Sequence, residues 1–146
     1  SVYNGLHQRY EWNVLSEEDE FDLKSFIEKA SNNDDPIEIL TEALEGVDVT
    51  ELKPLCSTVF KRTTYMFGFG DSIMEACFDR GKIIADDKED EICELELELE
   101  SGDVVDLKEM AEFIVDNSGA VPFDESKFQR CLKLLAFMNF PQHIKE

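Results

Sequence analysis

The chain has 146 residues, 42% of them hydrophobic, which suits one domain with a core of its own. Its net charge of −20 and pI near 4.3 argue against nucleic acid or anionic membrane as the main partner; they favour cations, basic partners, or an anion held through cations. No apolar run approaches a membrane span and no signal peptide is visible.

The first patterned stretch is His7-Gln8-Arg9-Tyr10-Glu11-Trp12-Asn13-Val14. Tyr10, Trp12 and Val14 share one parity and Arg9, Glu11 and Asn13 the other, which predicts a half-buried strand. An acidic loop from Ser16 to Glu20 leads to a helix with Leu23, Phe26, Ile27 and Ala30 on one face. Asp34-Asp35-Pro36 opens a second helix, with Asp35 as N-cap, Pro36 in the first turn, Ile37, Leu40 and Leu44 as its stripe, and Gly46 ending it. Both helices read as packing elements.

A second strand is predicted over Ser57–Phe69, with Thr58, Phe60, Arg62 and Thr64 on one face and Val59, Lys61, Thr63 and Tyr65 on the other. Gly68-Phe69-Gly70-Asp71 reads as a hairpin turn. A third strand runs from Ile73 to Asp79, with Glu75, Cys77 and Asp79 opposite Met74, Ala76 and Phe78. Arg80-Gly81 is expected to turn the chain, Lys82 to Ala85 to continue it briefly, and Asp86 to Glu91 to form a solvated loop without EF-hand spacing.

The strongest pattern is Glu94-Leu95-Glu96-Leu97-Glu98-Leu99-Glu100, with Ser101-Gly102-Asp103 directly after it. Glu and Leu favour helices by propensity, but strict alternation over seven residues puts the leucines on one face of a strand, expected to be a central one with its leucines packed against helices. The other face is a carboxylate ladder with neighbours about 6–7 Å apart. Adjacent charges repel by roughly 0.6 kcal/mol in bulk water and about 2–3 kcal/mol at an effective dielectric near 20. Such a ladder suits open water, or an interior supplied with cations.

Asp106-Leu107-Lys108-Glu109 is read as a capping box opening a helix with Leu107, Met110, Ala111 and Ile114 inward, ending near Asn117 and Gly119. A last helix is expected over Asp124–Met138 with Phe128, Cys131, Leu132 and Leu135 as its stripe; Lys127 and Arg130 are i, i+3 neighbours on it. Cys56, Cys77, Cys93 and Cys131 show no Cys-x-x-Cys spacing, and only His7 and His143 accompany them. Zinc and a disulfide framework are therefore not expected; reduced thiols and a cytoplasmic location are.

Four strands thus carry one charged face each: Arg9 and Glu11; Arg62; Glu75 and Asp79; Glu94, Glu96 and Glu98. In an antiparallel sheet these faces converge. If that side curves, it is a trough of carboxylates and arginines, equipment for a divalent cation and phosphate; otherwise it is simply a wet face.

Several segments resemble the CYTH domain of the triphosphate tunnel metalloenzyme superfamily, most closely its bacterial inorganic triphosphatase branch. They are Gly5-Leu6-His7-Gln8-Arg9-Tyr10-Glu11, Ser57-Thr58-Val59-Phe60-Lys61-Arg62, Glu75-Ala76-Cys77-Phe78-Asp79-Arg80-Gly81, the stretch from Ile92 to Asp103, and Ser126-Lys127-Phe128-Gln129-Arg130. The resemblance implies an α+β fold: an antiparallel sheet forming part of an eight-stranded tunnel, with helices packed outside, that hydrolyses a triphosphate with Mg²⁺ or Mn²⁺. It implies Glu94, Glu96, Glu98 and Asp79 as metal ligands, and Asp79, Glu11 and Glu75 as catalytic acidic residues. Arg9, Arg62, Lys127 and Arg130 would then bind the phosphates. Relatives include class IV adenylate cyclases and thiamine triphosphatases, so a cyclase or a non-catalytic polyphosphate- or partner-binding module stands as the alternative.

The family's opening Glu-x-Glu-x-Lys and the basic residues after it have no counterpart here, and the chain begins at Ser1 rather than Met. Residues 1–146 are therefore expected to be one domain, the acidic C-terminal portion of a CYTH domain whose first strands are missing. Open sheet edges would be covered by the absent half, by the chain's own helices, or by a second copy in a homodimer.

Overall fold

Two tight turns organise the sheet. Gly70-Asp71 joins β3 (Ser57–Phe69) to β4 (Ser72–Ala85), and Asp86-Asp87 joins β4 to β5 (Lys88–Ser101). Gly70 (φ +59°) and Asp86 (φ +54°) take the left-handed conformation that Gly adopts freely and Asp tolerates. With each loop two residues long the register is fixed, and the result is a three-stranded antiparallel sheet in the order β3-β4-β5. The computed structural model describes residues 2–32 and 35–139; Ser1, Asp34 and His143 lie outside them. Among the described residues this sheet is open.

The sheet differs from expectation in four ways. First, the stretch 8–15 is not a strand; only β1 (Val2–Tyr3) and β2 (Leu6–His7) form near it, about a turn with Asn4 and Gly5 at positive φ. Second, Gly81 does not turn the chain. It lies inside β4, where any Cβ would collide with the Val59 carbonyl and the Phe60 backbone, so glycine serves close strand approach. Third, residues 88–91 belong to β5 rather than to a loop, because the two-residue turn returns the chain at once. Fourth, β5 stands at the edge of this sheet and β4 at its centre. The alternation itself puts Leu95, Leu97 and Leu99 half-buried on one face, with Glu96, Glu98 and Glu100 exposed on the other.

The chain falls into two compact units. Leu6–Pro54 holds α1 (Leu23–Ala30), α2 (Ile37–Ala43) and a 3-10 turn at Val49–Glu51. Asp22 caps α1 by accepting from the Ser25 amide, and Ala30 and Leu40 are the buried residues of the pair. Helix α2 starts one residue later than expected: Pro36, not Asp35, is its N-cap, with no side-chain bond.

The second unit, from Leu55 onward, holds the sheet, α3 (Val104–Ser118) and α4 (Lys127–Asn139). Asp103, not Asp106, caps α3 by accepting from the Val105 amide at 2.9 Å. Asp106 instead accepts from the Ser72 hydroxyl at 2.5 Å, tying the helix to the start of β4. Helix α4 packs on the sheet with Cys131, Leu134 and Leu135 against Ile83 and Ile92. Its stripe is therefore rotated from the expected one, and Phe128 (59% exposed) and Leu132 (41%) face outward. The same rotation turns Lys127 and Arg130 toward the sheet, where both pair with its carboxylates.

Cys56 and Cys131 form a disulfide, contrary to the expectation of four reduced thiols; Cys77 and Cys93 are free. Seventy-five residues separate the pair, so no spacing motif marks it; the fold brings the Cα atoms to 6.3 Å, within bridging range. The thiol argument for a cytoplasmic location falls with it. No helix among the described residues is long and apolar enough to cross a membrane. Closing a ring of this size restricts the unfolded chain by about 4 kcal/mol in the chain-entropy account. Cys131→Ser should lower unfolding free energy by about 2–4 kcal/mol in denaturant melts. A reductant should reproduce that loss in the parent chain and leave the variant unchanged.

Candidate metal and phosphate site

The register builds the site. Arg62 of β3 pairs with Asp79 of β4, and Asp79 pairs with Glu94 of β5, so the three lie in one row across the sheet. The next row along is Thr64, Cys77 and Glu96, and the one after it Met66, Glu75 and Glu98. In the other direction the row Phe60, Gly81, Ile92 leads to Thr58, Ile83, Asp90. One face thus passes from buried Ile83 and Ile92 to a concentration of carboxylates.

Helix α4 supplies cations to it. Ser126 and Gln129 form a reciprocal cap: the Ser126 hydroxyl accepts from the Gln129 amide at 3.1 Å, and Gln129 Oε1 accepts from the Ser126 amide at 2.8 Å. This fixes the start of the helix, so Lys127 and Arg130 leave from its first turn, and Cys131 and Leu134 anchor the later turns on the sheet. A cation in a first turn opposes the helix dipole, a placement helices ordinarily avoid. Here the positive helix end and the two side chains are directed together at carboxylates.

Lys127 Nζ makes ion pairs with Asp79 Oδ2 at 2.8 Å, with Glu96 Oε1 at 2.8 Å, and with Glu94 Oε1. Arg62 grips Asp79 with a fork, Nε to Oδ1 and Nη2 to Oδ2 both at 2.7 Å, and its Nη2 also reaches Glu96 Oε2 at 2.7 Å. Arg130 donates Nε to Asp90 Oδ2 at 2.9 Å, reaches Glu94 Oε2 at 3.5 Å, and bonds the Glu91 carbonyl. The Phe60 ring lies 5.0 Å from Lys127 Nζ and 5.5 Å from the Arg62 guanidinium, a face suited to both cations.

Asp79 is fully buried. The Arg62 fork holds its carboxyl below the usual range, with Lys127 adding to that and burial opposing it. Burial pushes the Lys127 ammonium down, but the bonds to Asp79, Glu94 and Glu96 outweigh this and raise it. The Asp79 bonds likewise raise Arg62. Burial, then the bond to Glu75, raises the Cys77 thiol.

Oxygens of Asp79, Glu94 and Glu96 lie within 4.8 Å of one another, a hard-oxygen donor set of the kind that can hold a metal ion. Of the residues expected at a site, the structure brings Asp79, Glu94, Glu96, Arg62, Lys127 and Arg130 together. Glu75 and Glu98 pair with each other on the same face, one row beyond Glu96. Arg9 and Glu11 are exposed residues of the first unit, outside any strand. Asp90 and Phe60 are members that the sequence did not single out. Asp90 has the parity of Glu94 and Phe60 that of Arg62; the assumed loop hid the first, and an aromatic on a strand ordinarily signals only packing.

A CYTH domain family model matches residues 1–132. The chain belongs to the CYTH domain family. It is similar to an inorganic triphosphatase of Haemophilus influenzae, 37% identical over 111 residues, covering 76% of this chain. The chain spans about 28% of that protein's length.

Because Asp79 is fully buried between two cations, Asp79→Asn should cost roughly 2–4 kcal/mol at pH 7 with a chelator present, read from denaturant melts. The depressed folded value also sets a pH window. Its stabilising share is complete above the unfolded value near 3.8 and is lost as pH falls through the lower folded value. The parent chain should therefore lose stability on acidification more steeply than Asp79→Asn.

Proposed function

We propose that this chain supplies the acidic, metal-holding part of a tunnel that hydrolyses inorganic triphosphate with Mg²⁺ or Mn²⁺. The observation that carries the reading is the row Arg62–Asp79–Glu94, joined by Glu96 and by Lys127 from α4. Carboxylates and cations alternate there at contact distance, and triphosphate hydrolysis needs both kinds of group. Asp79, Glu94 and Glu96 would hold the metal, which when bound neutralises charge on phosphate oxygens. Arg62 and Arg130 present guanidinium forks that match phosphate oxygens, and Lys127 presents a point charge.

In this reading Glu98 and Glu75 continue the acidic lining one row further, and Arg9 and Glu11 keep the phosphate-binding and catalytic roles that the family resemblance gives them. The long outer edge of β3, without a strand partner among the described residues, supports closure by further strands. The lysine and arginines of the family's opening motif have no counterpart in residues 1–146, and we take them to be supplied from outside these residues.

The test is phosphate release from inorganic triphosphate and from ATP by the full-length protein, with Mg²⁺, with Mn²⁺ and with a chelator. Release from triphosphate should need the metal and exceed release from ATP; residues 1–146 alone should release little. Glu96→Gln should lower turnover roughly a hundred-fold. Its stability should stay within about 1 kcal/mol of the parent, since Glu96 is 43% exposed and Gln still accepts hydrogen bonds. Cyclic nucleotide from ATP, or turnover indifferent to chelator, would overturn the reading.

A further inference from the structure

The first-turn lysine of α4 occupies the place where the acidic trio would be expected to hold a cation. Lys127 Nζ is paired with an oxygen of Asp79, of Glu94 and of Glu96, the same three residues whose oxygens converge within 4.8 Å. A single ammonium thus satisfies one oxygen from every member of the set. It is not a loose surface contact: the Lys127 side chain is 16% exposed, its helix start is capped by Ser126 and Gln129, and Cys131, one turn on, is covalently tied to Cys56. Counting the neighbours, four carboxylates (Asp79, Asp90, Glu94, Glu96) face three cations (Arg62, Lys127, Arg130). With Lys127 in place the cluster carries one net negative charge; without it, two, the charge that a divalent cation balances.

We propose that Lys127 is the internal counter-cation of the Asp79–Glu94–Glu96 set and must withdraw its ammonium for the same oxygens to hold a divalent metal. This rests on the metal reading given above and adds to it a lysine that competes with the metal. The exchange is electrostatic and breaks no covalent bond. Asp79 Oδ2 already accepts from both Arg62 and Lys127, so a divalent ion added to the same oxygens would be strongly repelled by an ammonium left in place, and its binding favours displacement of that ammonium. The withdrawn ammonium becomes a positive group beside the metal, available to an anion that arrives with it. Metal affinity is thereby weakened while the site is empty of anion, and binding of metal and of anion are made to favour each other.

The probe is Mn²⁺ alone, titrated into the chain and monitored by electron paramagnetic resonance of the free ion. Reductive methylation of the same samples, read at Lys127 by mass spectrometry, reports whether the ammonium is paired. Lys127 should be protected without metal and methylated roughly ten-fold faster at saturating Mn²⁺. Lys127→Met should bind Mn²⁺ roughly ten-fold more tightly than the parent, and Lys127→Arg, which keeps the charge, within about three-fold of it. Mn²⁺ binding with Lys127 still protected, or an unchanged affinity in Lys127→Met, would overturn the competition and leave the metal site standing. Absence of Mn²⁺ binding in both the parent and Lys127→Met would overturn the metal site, and the competition with it. If Lys127→Met does not fold, methylation of the parent chain decides.

Discussion

Mutual repulsion among Asp79, Glu94 and Glu96 is the constraint on which the rest of this unit depends. Oxygens within 4.8 Å of one another, at an effective dielectric near 20, cost about 3 kcal/mol per charged pair. Burial of Asp79 removes the water that would otherwise relieve it. Something positive must stand among them in every state of the protein. The neighbouring structure serves that need: Arg62 arrives by strand register, Lys127 and Arg130 by the capped start of α4.

Such a cluster is poorly explained as a device for stability. Partly buried ion networks often do no better than apolar residues of the same volume, because desolvation offsets the attraction. The apolar solution is visible on the same face one and two rows away, where Ile92 and Ile83 pack with Cys131. A sheet able to bury isoleucine there carries carboxylates at Asp79 and Glu94 instead, and sets cations in the first turn of a helix against the helix dipole. Both departures from the stable choice fall at one place, which is where function is expected to be concentrated.

Much of this was legible in the sequence because strands report their faces directly. The period of two in Glu94–Glu100 outweighed helical propensity, and parity alone put Arg62, Asp79 and Glu94 on faces that converge. The features that stayed hidden depend on partners distant in sequence. Gly81 reads as a turn until the Val59 carbonyl is seen against it. Cys56 and Cys131 carry no spacing signal because folding alone makes them neighbours. The stripe of α4 is hidden because Phe128 and Leu132 look like core, whereas the buried face also holds Lys127 and Arg130, charged residues that a sequence ordinarily assigns to the surface. The segment 8–15 has good alternation yet forms no strand, since alternation states a preference and a strand also needs a partner with which to bond.

The disulfide has a topological consequence. Both hairpin turns, Gly70-Asp71 and Asp86-Asp87, and the whole of α3 lie inside the covalent ring closed by Cys56 and Cys131. A protease that cut either turn would therefore yield two pieces that remain a single molecule until reduced. Their effective concentration for each other would stay high, so the strands would re-pair as an intramolecular event, and the row from Arg62 to Glu94 would not depend on an unbroken backbone.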